Sequence, residues 1–115
     1  MKLLIVDDNP DMRRLIIKSV SESTDTAMEC VDGSKVNEAY TNLNPDFVLM
    51  DINMPIMNGI EATRNLKKLF PEARVIIVTS YSDLEFREEA KDAGVEKFFL
   101  KDNLMDVKNY IKSFQ

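Results

Sequence analysis

Five polar residues stand directly after short apolar runs in this chain: Asp7-Asp8 after Leu3–Val6, Asp51 after Phe47–Met50, Thr79 after Val75–Val78, and Lys101 after Phe98–Leu100. Three carboxylates, a hydroxyl and an ammonium make a usable chemical set if the fold gathers them. Adjacent strands lie about 4.8 Å apart, so neighbouring strand ends would place Asp7, Asp8 and Asp51 within a few ångströms of one another. Like charges at that range raise a pKa or recruit a cation. All-oxygen ligands without His or Cys suit Mg2+, or Mn2+, rather than zinc. Lys101, two strands from Asp51, would span about 10 Å of sheet with its flexible stem and a bound anion between. A carboxylate beside a divalent cation and a lysine is a phosphoryl acceptor in form. Phosphoryl transfer is mostly positioning and charge neutralisation, and the product would be an acyl phosphate. Singly, each residue has a plainer reading: helix-cap charge for Asp7-Asp8, a turn former for Asp51, and no role in a site for Thr79 or Lys101. What favours the site is that four of five strand ends complete one constellation.

The elements that must position these groups are legible from periodicity. Leu3–Val6 reads as the first strand. Asn9-Pro10 opens a helix as cap and first-turn proline, with Met12, Leu15, Ile16 and Val20 on one face. Ala27–Val31 is a second, weaker strand. Val36, Ala39, Tyr40 and Leu43 mark the next helix, closed by Asn44-Pro45. Phe47–Met50 is the third strand, and a loop through Pro55 to Gly59 leads to a helix carrying Ala62, Leu66, Leu69 and Phe70. Pro71 ends that helix. Val75–Val78 is the fourth strand. Ser82-Asp83-Leu84-Glu85 has the form of a capping box opening a fourth helix, which Gly94 stops. Lys97–Leu100 is the fifth strand, and Leu104, Val107, Tyr110, Ile111 and Phe114 stripe the last helix. Cys30 reads as a small hydrophobe near the second strand, and Met54 and Met57 as exposed beside Pro55.

Five strands alternating with five helices predict an α/β fold with a parallel sheet. Wholly apolar strand runs agree, because helices cover both faces of such a sheet. Ligands of open α/β sheets bind beyond the carboxyl ends of the strands, which is where the polar residues stand.

Composition narrows the function further. The 115 residues carry no His, one Cys and a net charge of −5. No histidine triad, phosphohistidine or intrachain disulfide is available, so any histidine in the chemistry belongs to a partner. The acidic balance argues against direct nucleic-acid binding, which is dominated by neutralising phosphates. Apolar runs of four fall far short of the roughly twenty residues a bilayer span needs, and the first residues leave no room for a signal-peptide core. A cytoplasmic protein without membrane contact is expected.

The chain resembles the receiver domain of two-component response regulators over essentially its whole length. The resemblance rests on Ile5-Val6-Asp7-Asp8 and Met12-Arg13-Arg14, then Val48-Leu49-Met50-Asp51-Ile52-Asn53-Met54-Pro55 with Gly59 and Glu61, then Val78-Thr79-Ser80 and Leu100-Lys101. Intervals of 44, 28 and 22 residues link Asp7, Asp51, Thr79 and Lys101. It is similar to the single-domain chemotaxis regulators, with features of the nitrate-response class. The resemblance implies a single receiver domain over residues 1–115, with a flavodoxin-like sheet in the order 2-1-3-4-5. It implies that Asp51 accepts a phosphoryl group from a histidine kinase or histidine phosphotransfer protein. Asp8, Asp51 and the Asn53 backbone carbonyl would hold Mg2+, with Asp7 acting through water. Lys101 would pair with the phosphoryl oxygens, and Thr79 would move to bond one of them. The surface of the fourth helix, fifth strand and fifth helix would then change to control an output partner. The protein would be a monomer or a phosphorylation-dependent homodimer, and would catalyse only its own phosphorylation and slow dephosphorylation.

Three positions depart from the family's habit. Asp102 replaces the usual Pro after the lysine, relaxing that junction. Phe98 stands at the aromatic switch position, where many relatives have Tyr, and can rotate but not donate a hydrogen bond. Tyr81, two after Thr79, would overhang the phosphoryl site and slow attack by water, and Ser80 joins it as a modulating position. Three rival functions remain at this point. A small Mg2+-dependent phosphatase with Asp51 as nucleophile would normally carry an acid where Asn53 stands. A flavodoxin-like cofactor binder would not place Asp-Asp-Asn-Pro in its first phosphate turn. A phosphorylation-independent interaction module is the third.

Overall fold

The computed structural model describes residues 1–115. Its elements run β1 (Lys2–Val6), α1 (Pro10–Val20), β2 (Thr26–Cys30), α2 (Val36–Leu43), β3 (Phe47–Met50), α3 (Gly59–Leu69), β4 (Val75–Thr79), α4 (Arg87–Asp92), β5 (Lys97–Leu100) and α5 (Leu104–Lys112). Short 3-10 segments at Gly33–Lys35 and Tyr81–Phe86 lead into α2 and α4. The five strands form one parallel sheet in the order β2-β1-β3-β4-β5, as the resemblance implied.

Strand side chains alternate between two cores. Leu4, Val6, Val48, Met50, Val75 and Ile77 face α2, α3 and α4, while Leu3, Ile5, Phe47, Leu49, Ile76 and Val78 face α1 and α5. Both sets are almost fully buried, which is why the strand runs are apolar at every position and show no period of two. β5 lies at the sheet edge and is only half-buried along Phe98–Leu100. No helix is long and apolar enough to cross a membrane.

Local signals hold at several element ends. The Asn9 side chain accepts from the amides of Asp11 and Met12, with Pro10 in the first turn. Asn44 closes α2 at a φ of 51°, and Gly94 follows α4 at a φ of 103°.

Other expectations are corrected. β2 lies one residue earlier than the reading Ala27–Val31, leaving Val31 half-exposed. Leu15 and Leu69 point outward, at 49% and 62% exposure, because the apolar stripes of α1 and α3 are narrower than their leucines suggest. Phe114 lies beyond the end of α5, yet its ring packs on Tyr110 and Phe47. Met54 is buried and Met57 half-buried; the residue displayed beside Pro55 is Ile56. The largest correction concerns the fourth helix. Ser82 caps nothing, and Tyr81–Phe86 is a 3-10 segment that becomes α-helical only at Arg87.

Candidate acidic site at the strand ends

The sheet ladder itself carries the polar residues into place. One residue past β1, the Asp7 amide donates to the Cys30 carbonyl at 3.1 Å. One past β3, the Asp51 amide donates to the Val6 carbonyl at 2.9 Å. One past β5, the Lys101 amide donates to the Thr79 carbonyl at 2.7 Å. Thr79 is itself the last residue of β4, so the hydroxyl stands at the lip of the sheet. Backbone that continues in register beyond the strands fixes these side chains far better than free loops would.

The carboxylates of Asp7, Asp8 and Asp51 each place an oxygen within 4.8 Å of the others. Asp7 and Asp51 are almost fully buried, while Asp8 is exposed. The Lys101 ammonium lies 3.1 Å from Asp51 Oδ2 and 3.1 Å from Asp7 Oδ2. It therefore spans from β5 to the end of β1 unaided, and no bridging anion is needed, contrary to the expectation from strand spacing. The other oxygen of Asp51, Oδ1, faces the Thr79 hydroxyl at 2.8 Å.

Three carboxylates against one ammonium leave an excess of negative charge. Burial pushes the Asp51 carboxyl above its ordinary range and Asp7 adds to this, with Lys101 and the Thr79 hydroxyl only partly opposing. Burial opposes the charge on Lys101 too, but Asp51 and Asp7 together raise it above the usual lysine value, so it stays charged. Asp7 Oδ2 is buried and accepts no hydrogen bond, its one partner being the Lys101 ion pair. The carbonyl of Asn53 accepts no backbone hydrogen bond either. A buried oxygen short of donors, uncompensated charge and an all-oxygen donor set fit a hard divalent cation such as Mg2+.

Packing behind Asp51 is tight. A Cβ on Gly59 would stand 2.0 Å from the Asp51 carbonyl oxygen, and one on Gly33 would stand 2.6 Å from the Met57 carbonyl oxygen. α3 and the Gly33 turn thus press the β3–α3 loop against the sheet end from two sides. Asn58 caps α3 through the amides of Ile60 and Glu61.

The remaining sequence candidates divide. Phe98 is half-buried, with the Arg87 guanidinium 5.2 Å above its ring. Tyr81 opens the 3-10 segment and is two-thirds exposed. Ser80 is exposed, with its hydroxyl 2.9 Å from that of Ser82.

Sequence reasoning missed two residues. Arg13 donates from its guanidinium to the Asp7 carbonyl at 2.7 Å and to Glu29 at 2.7 Å, bracing the turn between β1 and α1. Asp83, taken as part of a capping box, turns inward to 6% exposure and sets its Oδ2 2.7 Å from the Thr79 hydroxyl. The signal for Asp83 was its separation of four residues from a strand-end threonine, close enough for one tight turn to bring it back.

A doubly covered parallel sheet with a carboxylate cluster, a lysine and a hydroxyl at its carboxyl edge defines a class, the α/β proteins that hold their ligands beyond the carboxyl ends of the strands. Comparison with known proteins agrees. Residues 3–112 match the family model for the response regulator receiver domain, and the chain belongs to that family. It is 37% identical over 109 residues to the chemotaxis protein CheY of Halobacterium salinarum, covering 91% of each chain. It is 32% identical over 108 residues to the transcriptional regulatory protein LnrK of Bacillus subtilis, there covering 92% of this chain and 49% of LnrK. Among solved structures, the response regulator TrrA of Thermotoga maritima, in complex with Mg2+ and beryllium fluoride, superposes with a TM-score of 0.86. The identity is 26%, and the match covers 99% of this chain and 98% of that one. Receiver domains are signalling modules that act as phosphorylation-dependent switches, bind Mg2+ at an acidic pocket, and interact with histidine kinases or phosphotransfer proteins and with downstream targets.

Proposed function

We propose that this chain takes a phosphoryl group onto Asp51 from a phosphohistidine on a partner kinase or phosphotransfer protein, and passes the change to an output surface. The observation that carries the reading is the engagement of both Asp51 oxygens, Oδ1 by the Thr79 hydroxyl at 2.8 Å and Oδ2 by the Lys101 ammonium at 3.1 Å, inside the carboxylate cluster. An Asp51 oxygen attacks phosphorus, the P–N bond of the donor breaks, and the imidazole nitrogen keeps the electron pair. Lys101 neutralises charge on the phosphoryl oxygens, and Thr79 supplies a hydrogen-bond donor to one of them. Asp8, Asp51 and the Asn53 carbonyl would hold Mg2+, with Asp7 behind them through water. The cation would supply charge neutralisation for the transferred group.

Thr79 already faces Asp51, and its hydroxyl gives up Asp83 for a phosphoryl oxygen; the end of β4 shifts with it, and Phe98 on the neighbouring β5 can rotate inward. Beside Phe98 lies a cavity of about 350 Å3 between α4 and β5, lined by Arg87, Lys91, Lys97 and Glu96. A surface rich in cations on a chain of net charge −5 suits an acidic or apolar partner segment. Mixing the chain and Mg2+ with a phosphorylated histidine phosphotransfer protein tests the reading. Label should pass to the wild type and stay on the donor with Asp51→Asn; label that stays on the donor in both contradicts it.

A further inference from the structure

Thr79 carries one hydroxyl proton, and two carboxylates compete for it: Asp51 Oδ1 at 2.8 Å and Asp83 Oδ2 at 2.7 Å. Asp83 is 6% exposed, and none of the eight ion pairs of the molecule includes it. Its further partner is the Ser80 hydroxyl at 3.3 Å. With no cation paired to it, the two hydroxyls are the side-chain partners that hold this carboxylate in place. The segment carrying it is unusual as well. Tyr81–Phe86 is a six-residue 3-10 run, longer than the three or four residues such helices usually reach. A cavity of about 230 Å3 adjoins it, lined by Asn53, Asn58, Phe86, Glu89 and Asp83 itself, so the carboxylate has room to move into.

We propose that Asp83 is the latch of the switch: its carboxylate holds the Thr79 hydroxyl and the Tyr81–Phe86 segment in the resting arrangement, and a phosphoryl group on Asp51 displaces it. The inference rests on the phosphoryl-acceptor reading of Asp51. A phosphoryl group opposes the latch twice. It offers Thr79 a more strongly charged acceptor, and it sets added negative charge one hydroxyl away from Asp83. The released segment leads directly into α4, so the loss of one hydrogen bond becomes a movement of the helix that borders the Arg87–Phe98 face. Asp83 is thus a positioning residue acting through Thr79. By linkage, weakening the latch must tighten binding of whatever the switched state prefers.

The test is titration of Mg2+ and beryllofluoride, a phosphoryl mimic, into wild type and Asp83→Ala, followed by amide NMR of residues 81–92. Asp83→Ala without ligand should shift toward the ligand-bound positions of wild type, and should bind beryllofluoride about fivefold tighter or more. General damage to the fold would weaken binding instead. Unshifted amides together with equal or weaker affinity overturn the latch. Hydrogen exchange on wild type tests it without any substitution. The Asp83 amide, which donates to the Ser80 carbonyl at 3.0 Å, should exchange faster once beryllofluoride binds. Slower or unchanged exchange counts against the latch. If wild type binds no beryllofluoride, the acceptor reading fails and the latch falls with it; binding with an indifferent Asp83→Ala removes the latch alone.

Discussion

At the scale of single residues, the site is a compromise between charge and burial, and Asp51 bears most of it. Its carboxyl is held above its ordinary range by burial and by Asp7, so the ionised form is disfavoured in the folded state. A raised carboxylate imposes no penalty on folding below its unfolded pKa, near pH 4. The penalty grows as pH rises and is complete above the folded value. Asp51→Asn should therefore stabilise the protein at neutral pH without divalent cation, because it removes a buried charge that Lys101 and Thr79 only partly offset and leaves Lys101 paired with Asp7. The difference should vanish as pH falls toward about 4. Urea unfolding at both pH values measures this, and a destabilised Asp51→Asn at neutral pH would refute it. Millimolar Mg2+ should raise the midpoint of wild type but not of Asp51→Asn, because only a ligand bound to the native state stabilises it.

At the scale of elements, the strand-end residues and the turns behind them decide geometry. Gly59→Ala drives a methyl group into the Asp51 carbonyl, against backbone that the Val6 carbonyl already holds. It should destabilise the fold by about 1–3 kcal/mol and slow phosphorylation by displacing the acceptor. A phosphorylation rate equal to that of wild type would show that the loop yields without cost.

Legibility of the sequence follows the same division. The strands were readable because β1, β3 and β4 are buried on both faces and must be apolar throughout. Asp7, Asp51 and Thr79 were readable because each stands where such a run stops, and Lys101 because it follows the apolar Phe98–Leu100 of the half-buried edge strand. Asp83 was not. Its flanking residues spell a local cap, and only the Thr79 hydroxyl, brought close by the tertiary fold, turns it inward. Leu15 and Leu69 were misassigned for a related reason, since periodicity marks a face without saying how wide a stripe the neighbouring helix covers. The direct reach of Lys101 was also hidden, because strand spacing measures the sheet and says nothing of how a long side chain lies across its edge.

At the scale of the whole molecule, the carboxylate site at one end of the sheet is balanced by a tightly bonded cluster at the other. Arg74 lies against the rings of both Phe47 and Phe114, at 4.5 and 4.1 Å, and donates twice to Glu96, which also accepts from the Tyr110 hydroxyl. This cluster ties the starts of β3, β4 and β5 to the end of α5. Burial alone would push the Glu96 carboxyl up, but hydrogen bonds from Arg74 and Tyr110 and the Arg74 charge outweigh it and hold the group below its usual range. A depressed carboxylate contributes stability above its unfolded pKa and loses it as pH falls through the folded value. Glu96→Gln should therefore flatten the acid limb of a stability-versus-pH curve, costing more stability at pH 7 than at the foot of that limb. Equal losses at both pH values would contradict that assignment.

The carboxylate site at one end, the anchored cluster at the other and the α4–β5 face between them suit the proposed switch, in which a charge added at Asp51 moves one segment while the sheet stays in place. That account depends first on Asp51. The most direct measurement is the intact mass of the chain after incubation with a small acyl phosphate and Mg2+. Wild type should gain the mass of one phosphoryl group, and chelation of Mg2+ or the substitution Asp51→Asn should abolish the gain. An unmodified wild type, or equal modification of Asp51→Asn, would contradict it.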